Sequence, residues 1–151
     1  MSGGTAAAVA LAAAAGLAGS VQIAVMGRLG QRIGTLEALA FATVLSLVLV
    51  LALLLVFRQS LAGLAEGARA PLWMWAGALM GAFIVFTITY AGPRIGTTAT
   101  IGLLIAGQLT MGALIDRFGL FGLEQIPLSG PRVLGILLLA VGAALSLHRV
   151  T

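Results

Sequence analysis

Five stretches of apolar residues, each close to the length that crosses a bilayer, decide the solvent in which this chain folds. They lie at about 5–27, 36–57, 73–91, 97–115 and 133–148, and roughly 20 apolar residues of helix span the hydrocarbon. A water-soluble fold has no use for them. Of 151 residues, 61% are apolar and 8% charged, against about a quarter charged in ordinary soluble domains. Each stretch must be a helix, because lipid offers no hydrogen-bond partner to an open sheet edge. The expectation is an all-α integral membrane protein, with residues 1–151 forming one transmembrane domain of five spans. The first stretch reads as a retained helix, not a cleaved leader. No Lys or Arg precedes it, and it is longer than the apolar region of a typical signal peptide.

The formal net charge of +4 does not point to nucleic acid, because the basic residues form no run. There are eight cations, all arginine, set singly between the apolar stretches, as topology determinants are. The chain has no cysteine, so disulfides, thiol catalysis and sulfur-ligated zinc are excluded. No hydrolase elbow, phosphate loop or metal-ligand cluster is present. "GLAGSVQIAVMG" has glycines but not the strand-turn-helix setting of a dinucleotide fingerprint. His148 reads as an interfacial residue beside Arg149. The chain is not expected to be an enzyme, and no cofactor or metal is implied.

The spans differ in character. The first, "AAAVALAAAAGLAGS", is rich in small residues, gains little from lipid and lets other backbones approach closely, so it is expected inside a bundle. The second, "LSLVLVLALLLVF", is uniformly bulky and suits lipid. The third opens "PLWMW", with Pro71 ahead of the first turn, where its missing N–H costs nothing. Trp73 and Tyr90 sit at opposite ends of this span, at its two interfaces. The fifth is short and bracketed by Arg132 and Arg149, whose long stems reach opposite interfaces. The longer connections are 58–72 and 116–131, and the second is apolar enough to lie along the membrane surface. Five crossings put Arg58, Arg69, Arg117 and Arg132 on one side and Arg28, Arg32, Arg94 and Arg149 on the other. Orientation follows an imbalance of Lys and Arg. Here the two sides are equal, so the chain is expected to insert both ways up.

Polar groups at membrane depth are the informative residues. Gln108 lies eight residues inside Asp116, about 12 Å at 1.5 Å per residue, and so near the midplane. An amide facing hydrocarbon without a partner costs several kcal/mol, on the order of what a lost buried hydrogen bond costs. On a helical wheel Ala99, Gly102, Ala106, Thr110 and Ala113 form a small-residue stripe. Gln108 falls roughly opposite, with Thr97, Leu104, Met111 and Ile115. Gln22 occupies the first span on the face of Ala15, Ala18, Gly19 and Met26. Two readings stand side by side: the glutamines hydrogen-bond across helices as structural glue, or they line a substrate cavity, as intramembrane polar groups on transport paths do. The cavity candidates are Gln22, Met26, Trp75, Tyr90 and Gln108. Glu37 is the candidate coupling carboxylate; the competing reading is an interfacial ion pair in the first turn of the second span, favoured there by the helix dipole. Asp116 is not favoured at a helix C-terminus, so it needs a specific partner: Arg117 or a loop backbone N–H would serve. Glycines 16, 19, 102, 107 and 112 would permit close, sliding helix contacts.

The order "Q22…RLGQRIG", "PRIGTTATIGLLIAGQL", "DRFGLFG" and "RVLGILLLAVG" resembles, over essentially the whole chain, the short five-helix branch of the drug/metabolite transporter (DMT) superfamily, the YdcZ-type inner-membrane exporters. The resemblance implies a multi-pass protein of the bacterial inner membrane that exports a small molecule. Larger members of the superfamily hold two five-helix halves of inverted topology, and this chain resembles one half. It is therefore expected to work by alternating access as an inverted homodimer, or as a heterodimer with a paralogue, with the site near the midplane between the halves. The family pattern places Asn four residues after Gln22, and Met26 stands there instead. That removes a substrate-contacting amide and favours a more apolar ligand. The chain also lacks the helix-1 glutamate of the small multidrug exporters, so proton antiport of cations is not carried over. The rival readings are a non-transporting membrane subunit that assembles or stabilises a partner complex, and a passive pore.

Overall fold

The computed structural model describes residues 3–147; His148 and Arg149 lie outside them. All regular structure among the described residues is helical: α1 (Gly3–Ile33), α2 (Thr35–Arg58), α3 (Ala62–Ala68), α4 (Leu72–Ile95), α5 (Thr97–Phe118) and α6 (Gly130–Ser146), with a 3-10 turn at Leu120–Gly122. Four helices, α1, α2, α4 and α5, are long and apolar enough to cross a membrane, and α6 is a shorter apolar helix. At 17 residues its length of about 25 Å falls a little short of the ~30 Å hydrocarbon core.

The helices overrun the expected spans most where polar residues suggested a loop. α1 continues through Arg28, Gln31 and Arg32, and α4 continues through Pro93 and Arg94. What remains between α1 and α2 is one residue, Gly34, and between α4 and α5 one residue, Gly96. Both glycines have nearly the same backbone: φ 103°, ψ 150° at Gly34 and φ 86°, ψ 154° at Gly96. This region is closed to residues with a side chain at a cost on the order of 1–3 kcal/mol. In each, the glycine carbonyl accepts the first bond of the next helix, from the Ala38 N–H at 3.0 Å and from the Thr100 N–H at 3.1 Å. The two turns also share a sequence: Gly30-Gln31-Arg32-Ile33-Gly34-Thr35 and Gly92-Pro93-Arg94-Ile95-Gly96-Thr97. The chain thus makes the same helix–glycine–helix elbow twice from one six-residue pattern.

The described chain divides into two compact units. In Val25–Pro93, small residues let the end of α1 meet the end of α4. A Cβ on Gly27 would fall 3.0 Å from Pro93 Cγ, and one on Gly30 would fall 2.6 Å from Thr89 Cγ2. Met26, Ile88 and Thr89 are buried there. The Thr89 hydroxyl donates to the Val85 carbonyl at 2.7 Å, so its burial strands no polar atom. The bulky α2 buries only Ala38, as a lipid-facing helix should. α2 stops at Arg58, where Gln59 turns left-handed and its N–H caps Leu55. The connection after it folds into α3.

The other unit joins the first part of α1 with α5 and α6. Ala99, Thr100 and Ala113 of α5 and Ala143 of α6 are buried, and a Cβ on Gly102 would come within 2.9 Å of Ala143 Cβ. Ala99, Gly102 and Ala113 of the small-residue stripe therefore lie on the packing face of α5, while Thr110 is exposed. Gly119, left-handed at φ 59°, closes α5 by donating to the Ile115 carbonyl. The Ile126 N–H then returns to the Asp116 carbonyl at 2.8 Å. The small-residue stretch of α1 departs from expectation. Residues 4–18 are exposed in the single chain, and Gly16 and Gly19 have nothing within 4 Å of where a Cβ would stand.

Candidate functional site

Asp116 provides the first test of the polar residues. Its carboxylate pairs with Arg132, which reaches back from the first turn of α6. Neither partner proposed from sequence is its side-chain contact. Arg132 lies sixteen positions away, across a connection with no helical period, and periodicity cannot find such a contact. The pair ties the end of α5 to the start of α6, so Arg132 is a structural anchor in addition to marking an interface. Arg117 stands 6.0 Å from the centroid of the Phe118 ring. It also lines a groove of about 370 Å³ with Phe118, Gln125 and Pro127.

The glutamines behave differently. Gln108 sits in the middle of α5, on an exposed face with Met111 and opposite buried Ala99 and Ala113. Gln22 is likewise exposed on α1. Among the described residues neither side chain makes a hydrogen bond, although every buried side-chain nitrogen and oxygen has one. The hydroxyls on the same helices satisfy themselves locally: Ser20 donates to the Gly16 carbonyl and Thr110 to the Ala106 carbonyl, at 3.2 and 2.7 Å. An amide cannot reach its own helix backbone in that way as readily as a β-hydroxyl does. Among the described residues, Gln22 and Gln108 therefore keep unsatisfied amides, which are costly in lipid.

The other candidates are spread out. Met26 is buried, 6% exposed. Trp75 and Tyr90 are exposed, with the Tyr90 ring stacked on Phe86 at 6.2 Å and 11° between planes. Glu37 occupies the third position of α2 and makes no ion pair among the described residues. Its carboxylate instead folds back over the elbow, where Oε2 would fall 2.0 Å from a Cβ on Gly34. That position suits an anion at the positive end of the helix. Gly107 and Gly112, beside Gln108, have nothing within 4 Å of a Cβ, unlike Gly102 on the packing face. Among the described residues no group of three or more His, Cys, Asp or Glu could hold a metal ion.

Sequence reasoning missed a second polar site. Val25, Arg28, Leu29, Gln31 and Arg32 line a groove of about 530 Å³ along the last two turns of α1. The Arg28 Nη1 donates to Gln31 Oε1 at 3.5 Å. The signal was present as two arginines at i and i+4, hidden by reading them as a loop.

Comparison with known proteins bears on the whole chain. The family described as "Putative inner membrane exporter, YdcZ" matches residues 7–145. "Inner membrane protein YdcZ" of Escherichia coli (strain K12) is 34% identical over 139 residues, covering 90% of this chain and 91% of that protein. No solved structure matches.

Proposed function

Because the chain belongs to the YdcZ family of inner-membrane exporters, we propose that it exports a small molecule by alternating access, as two five-helix copies inserted in opposite orientations. It is a multi-pass protein of the bacterial inner membrane. α6 serves as the fifth crossing, its shortfall met by local thinning and by the stem of Arg132 in its first turn. The substrate lies near the midplane between the copies, where inverted repeats place it.

One observation carries this reading. Gln22 and Gln108 are mid-helix amides on exposed faces with no hydrogen bond among the described residues. Around them lie uncovered small residues, Gly16 and Gly19 on α1 and Gly107 and Gly112 on α5. An uncovered small-residue surface is poor at holding lipid and good at admitting another helix. A second copy would cover the glycines and leave the amides to face it or a substrate. The balance of arginines on the two sides lets one gene supply both orientations.

Three experiments test it. Purified protein in liposomes should give saturable flux with counterflow. Non-saturable flux would support a pore, and no flux a non-transporting subunit. Gln108→Leu should abolish transport with the fold intact. Wild-type flux together with a raised Tm would mean that Gln108 is only structural. Reporters at the C-terminus should be found on both sides of the membrane, and a single orientation would contradict the inverted pair.

A further inference from the structure

The elbow pattern that occurs twice separates what a turn needs from what one copy adds. Both copies keep Gly, Arg, Ile, Gly and Thr and build the same backbone. Aligned on them, Arg28 of the first copy stands where the second has Tyr90, and Gln31 where the second has Pro93. The second elbow forms without an arginine and an amide at those positions, so elbow geometry does not explain them in the first.

What they form is the α1 groove. Arg28 and Arg32 are one helical turn apart on one face and line it together, with Gln31 between them. Like charges at this spacing repel by a few tenths of a kcal/mol on a helix, roughly the size of an ordinary i,i+4 pair with its sign reversed. The C-terminal dipole of α1 offsets part of that. Neither guanidinium is in an ion pair among the described residues. Glu37, the nearest carboxylate in sequence, is turned over Gly34 instead. Gln31 accepts from Arg28 through its oxygen, which leaves its amide N–H groups as donors. The groove, at about 530 Å³, is within the roughly 300–1,000 Å³ of small-molecule sites. α1 has 31 residues, about 46 Å at 1.5 Å per residue, well beyond the ~30 Å hydrocarbon, so its last turns reach headgroup depth.

We infer that Arg28, Gln31 and Arg32 form a binding site for a phosphate oxyanion at the membrane interface. Two planar guanidiniums and an amide donor match the oxygens of one phosphate, which arginine engages in forked pairs. At that depth the group is the phosphodiester of an anionic phospholipid such as phosphatidylglycerol. A free phosphate from the aqueous phase presents the same chemistry. The site does not rest on the transport reading.

The test uses the full chain purified in detergent, with phosphatidylglycerol, phosphatidylcholine and inorganic phosphate as probes, read by thermal shift and native mass spectrometry. Phosphatidylglycerol should raise Tm and stay bound where phosphatidylcholine does not. The doubly substituted Arg28→Gln, Arg32→Gln chain should lose about tenfold or more in affinity, the order expected for losing charge-assisted hydrogen bonds. Arg28→Lys should fall between, keeping the charge but not the fork. Arg94→Gln, in the other elbow, should bind as wild type does. Inorganic phosphate that raises Tm and competes with the lipid, with the same arginine dependence, would identify a soluble anion as the ligand. Binding of both probes unchanged in the double variant, or weakened equally by Arg94→Gln, would overturn the site. Helical circular dichroism on each variant separates lost binding from lost fold.

Discussion

The two faces of α5 have opposite fates. One carries Ala99, Gly102 and Ala113 and is closed against α6, with Gly102 so near Ala143 that no side chain fits between them. The other carries Gln108 and Met111, both exposed, although Gln108 is the more demanding residue. The first is built from small residues that lipid rewards poorly, and the second sets one amide among bulky apolar residues, Leu104, Met111 and Ile115. The difference is that one has found its partner inside the chain. The other has no such partner among the described residues, and the proposed second copy would supply one.

The largest effect should come from forcing the closed face open. Gly102→Leu would push against the Cα and Cβ of Ala143, which cannot rotate away. Overpacking of this kind costs about 1–3 kcal/mol or more, so thermal unfolding in detergent should begin at clearly lower temperature. An unchanged Tm would mean that the α5–α6 contact is not as described. The same substitution on the open face sharpens the contrast. Gly107→Leu meets nothing within 4 Å of its Cβ among the described residues. It should leave the stability of the single chain within about 0.5 kcal/mol, as isolated surface changes do, yet weaken association of copies in size-exclusion or cross-linking assays. Equal loss from both substitutions would erase the distinction between the faces.

A smaller effect is expected at the end of the closed face. Asp116→Asn removes one charge from the pair with Arg132, whose side chains are 25% and 35% exposed. Screening holds such a pair to about 1 kcal/mol or less, seen as a modest drop in Tm that high salt reproduces in the wild type. Smallest of all should be Thr110→Val. Its hydroxyl donates only to the Ala106 carbonyl one turn back, so stability should shift by no more than about 0.5 kcal/mol.

How much of this was legible in the sequence follows from the range of each signal. Apolar length marked the spans, and the 3.6-residue period separated Gly102 from Gln108 before any contact was known. Both signals are local. The elbows at Gly34 and Gly96 were not seen, because Arg28, Gln31, Arg32, Pro93 and Arg94 read as chain leaving the membrane. A helix end at headgroup depth can carry such residues and stay helical, since water and headgroups satisfy their side chains while the backbone satisfies itself. The Asp116–Arg132 pair was missed because it closes across an irregular connection. The expectation that the small-residue part of α1 lies inside a bundle was not met within one chain. A sequence announces that a surface wants company without saying whose chain will supply it.

An inverted pair can be read directly, because the chain has no cysteine and single cysteines can be introduced without background. About a two-fold axis in the membrane plane, a residue at one depth faces its mate at the mirrored depth, so only a midplane position meets its own copy. Gln108 is at the middle of α5. Ile115, on the same face, is about 10 Å further along at 1.5 Å per residue, which puts its mate about 20 Å away, beyond the ~7 Å Cα separation a disulfide tolerates. Under oxidation in native membranes, Gln108→Cys should therefore cross-link to itself and Ile115→Cys should not. Cross-linking at both positions would show copies paired the same way up, and at neither would show that the Gln108 face is not where two copies meet.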